Sequence, residues 1–464
     1  MTPAARIAAV IDILEALYLD GVGTSSAAKV LRSSLQQRRY AGSGDRNAIS
    51  DAFWQIQRGL SRLCWHLENC NAEITGRHLV LAALVLIERQ SDALAALFSD
   101  EIAYAPAPLS QAEITMVAKL ADRCFADPAM PPHIALEWPE WLMADTTAML
   151  GDEVTANLSA LMMPAPTDIR VNPLKLSDQR QLRDRLVGRG INCHSTSLSP
   201  FGVRLQKRTR LDGLQDWEKG LFDIQDEGSQ LASLLCDARP GMQVVDMCAG
   251  AGGKSLLMAA MMQNKGRILA LDTSAERLER GGERLRRAGV HNVERKVVAE
   301  NWSSRSWRGK FDRVVVDAPC SGCGTWRRQV DARWQLTPER LAHYREVQAI
   351  LLEKARALAA PGGRIIYITC SLLASEGVEQ IENFLQTASE FEPTDIGDIW
   401  HDTVGAAGGG ACPPHQPGML RIVHGLRPPG AGRRRPAVRC CRCAGSGAGR
   451  PAAAGGRCWF RSAP

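Results

Sequence analysis

The chain is predicted to be an α/β protein in which a doubly wound parallel sheet follows a small α+β module and an all-α N-terminal domain. Three observations predict it. From residue 241 onward, short apolar runs of strand length alternate with helix-length amphipathic segments, the pattern of βαβ units. Between about 168 and 235 the strand-like runs are few and flank one helical stretch. Before about 140, apolar residues recur at helical spacing with no strand pattern between them.

In chain order, residues 1–140 read as a helical domain. Ile7, Val10, Ile11, Leu14 and Leu17 form one apolar stripe, and Leu79, Val80, Leu84 and Ile87 another. Pro128, Pro131, Pro132 and Pro139 break helices, so residues 141–167 are a connector with a short helical segment. In the module at 168–235, Ile169–Asn172 and Gly202–Leu205 read as strands and Asp178–Arg189 as a helix. The sheet domain spans 236–400, with strand runs at Val244–Asp246, Ile268–Asp272, Val293–Val298, Val314–Asp317 and Ile365–Cys370. Residues 401–464 are rich in Gly, Pro, Arg and Ala, keep neither hydrophobic period, and are read as a disordered or aberrant tail.

At 464 residues the chain should hold at least two packed cores. No uninterrupted apolar run approaches the ~18 residues of a membrane span. Asp12 arrives before any signal-type apolar core, so a soluble, cytoplasmic protein is expected. It is also expected to be a monomer. The 14 cysteines, in a chain without an export signal, are read as reduced thiols. The net charge of +6 is not a property of the whole: residues 405–464 hold ten Arg and no Lys, Asp or Glu, which leaves the remainder net acidic. Any nucleic-acid contact must therefore come from local clusters.

One glycine-rich segment, Cys248-Ala249-Gly250-Ala251-Gly252-Gly253-Lys254, follows a strand and opens a helix. Glycines there let backbone amides turn tightly and face an anionic or polar ligand at the positive end of the helix. Asp272 ends the next strand, where a carboxylate can accept hydrogen bonds from both ribose hydroxyls of a nucleoside cofactor. A phosphate-binding P-loop would need glycine where Cys248 stands. A nicotinamide fingerprint has Ser255 in its third glycine position and stays formally open, as does a glycine turn with no ligand.

Two further strand ends carry thiols: Asp317-Ala318-Pro319-Cys320-Ser321-Gly322 and Thr369-Cys370-Ser371. Ligands of open α/β sheets lie outside the carboxyl ends of the strands, which places both thiols toward the cofactor cleft. Carbon 5 of cytosine is a poor nucleophile, and a methyl sulfonium cannot methylate it until a thiolate adds to carbon 6. Asp317 is the natural acid to assist at ring nitrogen 3. Two cysteines and one acid fit that sequence of events, although either cysteine alone would suit simple packing. The Cys320-Ser321-Gly322-Cys323 spacing also mimics a redox or zinc pair, but no second pair accompanies it, and no metal site is expected. Cys440, Cys441 and Cys443 in the tail lack nearby histidines.

Four ordered motifs, F-D-I-Q-D-E-G-S-Q at 222–230, D-M-C-A-G-A-G-G-K at 246–254, D-A-P-C-S-G at 317–322 and Y-I-T-C-S at 367–371, closely resemble those of the RNA cytosine-C5 methyltransferases of the Sun/Fmu family. The likeness covers roughly 168–390, and the helical region before it resembles a NusB-type RNA-binding domain. The resemblance implies a Rossmann-like S-adenosylmethionine methyltransferase sheet, with Cys248–Lys254 lining the cofactor site, Asp272 on the ribose and Glu300 near the adenine. It also implies that Asp317 orients the base beside the methyl donor, that Cys370 attacks and that Cys320 assists release. It implies 16S ribosomal RNA as substrate and partner. Cys323 and Val330 depart from the family's usual threonine and proline, and the family's terminal strand is read as absent, which would leave a sheet edge exposed.

For RNA, Trp326, Arg327, Arg328, Arg333 and Trp334 form an aromatic and basic cluster after Cys320 that could stack on a displaced base and grip phosphates. Arg170 and Asn172 would contribute from the small module. The alternative is a solvated basic loop with two packing tryptophans. Because a stacked base hides carbon 6, an unpaired or flipped cytosine is expected. The rival functions are a noncatalytic RNA-binding assembly factor, a methyltransferase for tRNA rather than rRNA, and a nucleotide-dependent oxidoreductase.

Overall fold

The computed structural model describes residues 1–18, 26–207 and 209–410, together with the backbone of Leu420–His424. Cys440, Cys441, Cys443 and most of the predicted tail lie outside the described residues. The chain divides into two compact units. One comprises Met1–Ala165, Cys320–Arg345 and Cys370–Glu376; the other comprises Pro166–Pro319, Glu346–Thr369 and the chain from Gly377.

The first unit is helical. Its main helices are Pro3–Tyr18, Ala27–Gln37, Ser43–Arg58, Leu60–Glu68, Gly76–Leu86 and Gln111–Ala121. Every residue from Leu79 to Leu86 is buried, because that stretch is apolar on all sides and can be stable only at the centre of a bundle. Thr75 starts this helix by accepting the His78 N–H at 3.1 Å. Ser110 and Glu113 cap the helix Gln111–Ala121 reciprocally. Burial pushes the Glu113 carboxyl up, but hydrogen bonds from Arg77 and Ser110 win and take it down to about 2.

Residues 320–345 and 370–376 belong to this unit rather than packing wholly with the sheet domain read at 236–400. The reason lies in their apolar side chains: Cys323, Trp326, Leu336, Leu372 and Leu373 share one core with Leu136, Trp138, Leu142 and Leu158.

The second unit holds two sheets. In the smaller, β1 (Thr167–Val171), β2 (Cys193–Ser195), β3 (Gly202–Leu205) and β4 (Phe222–Ile224) run antiparallel in the order β2-β3-β1-β4. β2 and β4, three residues each, are too short to announce themselves by alternation. The larger sheet contains β5 (Gln243–Asp246), β6 (Arg267–Asp272), β7 (Val293–Val297), β8 (Phe311–Asp317), β9 (Ala359–Ile368), β10 (Glu392–Pro393) and β11 (Leu420–His424), in the order β10-β11-β9-β8-β5-β6-β7. β5 to β9 are parallel, and helices Gly253–Met261 and Ala275–Ala288 provide crossovers. The chain moves outward from β5 through β6 to β7 and returns to the other side of β5 as β8. The switch point thus lies between β5 and β8, where ligands of such sheets bind.

The tail reading needs a correction. Leu420–His424 pairs antiparallel with β9, and β10 pairs with it in turn. A strand of five residues inside a Gly- and Pro-rich stretch offers too little periodicity to be seen beforehand. Among the described residues no helix is long and apolar enough to cross a membrane.

Candidate active site

The cofactor loop lies wholly in the second unit. Val244 and Val245 are buried on both faces of β5, which then delivers the loop to the switch point. The loop is pinned by its own backbone: the Met247 N–H donates to Val315 O at 2.9 Å and the Ala249 N–H to Leu271 O at 2.8 Å. Gly250 has φ +54° and Gly252 φ +74°, a left-handed path that side chains disfavour. A Cβ on Gly250 would also sit 2.5 Å from the Arg277 guanidinium. Gly252 opens the helix Gly253–Met261, so amides face outward at its N-terminus.

Asp272 is buried at the end of β6. Its carboxylate accepts the Gly250 N–H at 2.7 Å and the Ser274 N–H at 2.8 Å, and Arg277 lies 3.6 Å away. Lys254 and Asp317 form an ion pair of 2.5 Å across the switch point. Asp317 is a third exposed (34%), so the acid is presented to the cleft as a paired carboxylate rather than enclosed by apolar groups. Cys248 lies half-buried against the sheet, and burial pushes its thiol up. Glu300 is exposed beyond the end of β7, and its main-chain carbonyl accepts from Lys354.

Asp246, the last residue of β5, was missed as a functional candidate. It is buried, accepts the Ser255 hydroxyl at 2.7 Å, and burial pushes its carboxyl up to about 6. Only its place at the head of the glycine loop could have drawn attention to it.

The thiol pair lies wholly in the first unit. Cys320 follows the end of β8 by three residues and Cys370 that of β9 by two, and their sulfurs are 3.4 Å apart. Gly322, at φ +68°, turns the chain between them. Gly324 donates to the Cys370 carbonyl at 2.9 Å, an approach so close that a Cβ there would stand 2.8 Å from that oxygen. The Cys320 thiol is held well above its ordinary pKa, first by its hydrogen bond with Cys370, then by burial and nearby negative charge. Cys323 is fully buried, accepts the Leu372 N–H at 3.0 Å, and is pushed up to about 11 by burial. It is a packed thiol, distinct in environment from Cys320.

Four of the expected RNA contacts require correction. Arg170 is buried, donating to Gln225 and to Gly253 O, so it braces the helix that follows the cofactor loop. Asn172, also buried, donates to Gly220 O and Ala288 O. Trp326 is 1% exposed and packs on Trp138 with ring centroids 4.7 Å apart. Arg333 is buried, donates to the carbonyls of Glu137 and Val330, and is drawn down to about 10 by burial. None presents surface to a nucleic acid. Residues 326–331 form successive turns that lead into the short helix Ala332–Gln335, and Trp326, Val330 and Arg333 all turn inward. Arg327 is half-buried with a bond to Pro164 O, and Arg328 is exposed.

Residues 233–418 match the family model "16S rRNA methyltransferase RsmB/F", and residues 138–212 match the ferredoxin-like domain of the same RsmF/B group. That second match starts at residue 138, just ahead of the connector read at 141–167 and well before the module boundary at 168 taken from strand pattern. The probable ribosomal RNA small subunit methyltransferase B of Bacillus subtilis is 32% identical over 55% of this chain and 57% of its own length. Ribosomal RNA small subunit methyltransferase B of Xylella fastidiosa is 32% identical over 58% of this chain and 62% of its own. The chain therefore spans less than two thirds of these relatives. In fold, the solved structure of PH0851 covers 92% of this chain and 99% of its own, with a TM-score of 0.68 and 21% identity.

Proposed function

We infer that this chain, which belongs to the RsmB/F family of 16S rRNA methyltransferases, methylates carbon 5 of a cytosine in RNA, with 16S ribosomal RNA as the substrate. One observation carries the reading: two thiols 3.4 Å apart, on the loops that follow two neighbouring parallel strands. Addition to carbon 6 needs one sulfur, and its later departure is eased by a second group beside it.

The residues present suit S-adenosyl-L-methionine. The left-handed glycines leave a cradle that a side chain at Gly250 would fill, and Asp272 is oriented by two backbone amides for ribose hydroxyls. When bound, the cofactor supplies an electrophilic methyl group. Gly250, Gly252 and their neighbours would hold it at the helix N-terminus, with Glu300 placed toward its base.

Cys370 is read as the nucleophile. Asp317 was expected to act as an acid at ring nitrogen 3, but it is ion-paired with Lys254; we therefore read it as the acceptor for the exocyclic amino group of cytosine, with the Lys254 ammonium as the donor to ring nitrogen 3. Cys320 is read as the group that assists departure. Arg327 and Arg328 remain as phosphate contacts, and the cytosine must be unpaired or flipped. The reading includes a cytoplasmic monomer, which sedimentation of the purified chain would test.

The deciding experiment incubates the chain with methyl-labelled S-adenosylmethionine and 16S rRNA, then digests the RNA and seeks labelled 5-methylcytosine. Cys370→Ala should abolish label. Cys320→Ala should accumulate a protein–RNA adduct that survives denaturation. An adduct formed equally well without Cys370 would reverse the two roles, and absence of label with the parent chain would reject the activity.

A further inference from the structure

Glu376 received no role from the sequence, yet its side chain is fully buried (0% exposed). Its Oε1 accepts the Ser321 N–H at 2.9 Å and its Oε2 accepts the Ser321 hydroxyl in a short contact. A buried carboxylate is costly unless its oxygens are bonded, so its partners are informative. Ser321 follows Cys320 in the chain, and Ser371 follows Cys370.

The Ser321 hydroxyl proton can be assigned from chemistry. A carboxylate only accepts, so the single Ser321 proton goes to Glu376. Ser371 Oγ lies 3.3 Å from Ser321 Oγ, which ties the residue after Cys370 to the residue after Cys320. Ser371 accepts in turn from the Leu373 N–H at 3.1 Å, and the buried Cys323 thiol lies 3.4 Å from the same oxygen. Cys323, both serines and Glu376 thus form one buried polar network around the two thiol turns. All of these residues lie within the first unit.

We propose that Glu376 is a positioning residue for the two-thiol chemistry: through Ser321 it fixes the Cys320 turn so that the Cys320 S–H is aimed at the Cys370 sulfur. The consequence concerns release. As water takes the proton on carbon 5, the C5–H electron pair becomes the C5=C6 double bond. The C6–S bond breaks with its pair remaining on Cys370 as a thiolate. Cys320 keeps its own proton and donates a hydrogen bond to that departing sulfur. The sulfur contact, burial and the negative charge of Glu376 all keep Cys320 a thiol, which suits a donor and not a base.

The geometry stands by itself, but the role in release rests on the methyltransferase reading, so the test uses two readouts. In the full chain without RNA, the alkylation of Cys320 by iodoacetamide is followed by mass spectrometry from neutral to alkaline pH. Glu376→Gln, which keeps size and removes charge, should move the Cys320 curve to lower pH and raise its labelling near neutrality by roughly threefold or more. With RNA and cofactor, methyl transfer should persist while the covalent adduct lasts roughly tenfold longer, and Glu376→Asp should shorten it again.

An unchanged Cys320 curve overturns the proposal whether or not the chain methylates RNA. A uniform rise in labelling of every cysteine, the mark of general loosening, also overturns it. A shifted Cys320 curve in a parent chain that forms no 5-methylcytosine upholds the positioning and rejects the methyltransferase reading. If Glu376→Gln does not fold, Ser321→Ala retains the backbone donor to Glu376 and should shift the curve the same way by a smaller amount.

Discussion

The loop after β5 and the turn that carries Cys320 are both short and contain left-handed glycines, but different parts of their residues hold them. The cofactor loop is tied down by main-chain amides donated to Val315, Leu271 and the Asp272 carboxylate. The thiol turn has main-chain bonds too, from Gly324 to the Cys370 carbonyl and from the Ser321 amide to Glu376, but it adds a network of side chains in which Ser321, Ser371 and Cys323 gather beside one buried acid. A backbone-built loop depends on which positions lack a Cβ; a side-chain-built turn depends on which groups can donate. The two should therefore fail under different substitutions.

The largest effect should come from breaking the backbone-built loop. Gly250→Val adds a Cβ at φ +54° against Arg277 and displaces the amide that bonds Asp272. We expect cofactor affinity, measured by calorimetry, to fall roughly a hundredfold, since left-handed strain of about 1–2 kcal/mol adds to loss of that bond. The alkylation curve of Cys320 should not move. Glu376→Gln should do the reverse, shifting the thiol and leaving cofactor affinity intact.

Acid and base responses sharpen the contrast further. The folded state raises Asp246 from 3.8 to about 6, so it binds a proton that the unfolded chain has released. That contribution is full below the unfolded value and is lost as pH rises through 6, on the order of 3 kcal/mol. Relative to the parent, Asp246→Asn should gain thermal stability as pH increases across this window. Glu113 has the opposite sign: its folded value, near 2, lies below the ordinary 4.5, so its contribution is present above that value and lost as pH falls. The deficit of Glu113→Gln should shrink on acidification, read in melting curves.

The smallest effects separate surface from interior among the arginines. Arg328→Ala should weaken RNA binding modestly and reduce its salt dependence, while leaving the melting temperature within about a degree or two. Arg333→Ala should lower the melting temperature instead, because it strips donors from the Glu137 and Val330 carbonyls.

The sheet was legible because β5, β6, β8 and β9 are apolar runs whose length and spacing follow from burial on both faces. The cofactor loop was legible for a related reason: glycine marks backbone requirements directly. What stayed hidden depended on side-chain direction. Arg170, Asn172, Trp326 and Arg333 looked like ligands for RNA because charge and aromatic character are visible in sequence, whereas inward orientation is not. Glu376 was hidden by the converse effect, an acid in A-S-E-G that resembles a solvated turn. Likewise, nothing in its own residues marked Leu420–His424 as the partner of β9.

That last pairing bears on synthesis. β9 is complete at Ile368, but the strand that covers its open side, β11, is made roughly fifty residues later. At about 5–20 residues per second, a nascent chain waits several seconds with that row of amides and carbonyls unmatched. During this interval another emerging chain can take the vacant place, so slow translation across 369–419 should favour aggregation on crowded polysomes.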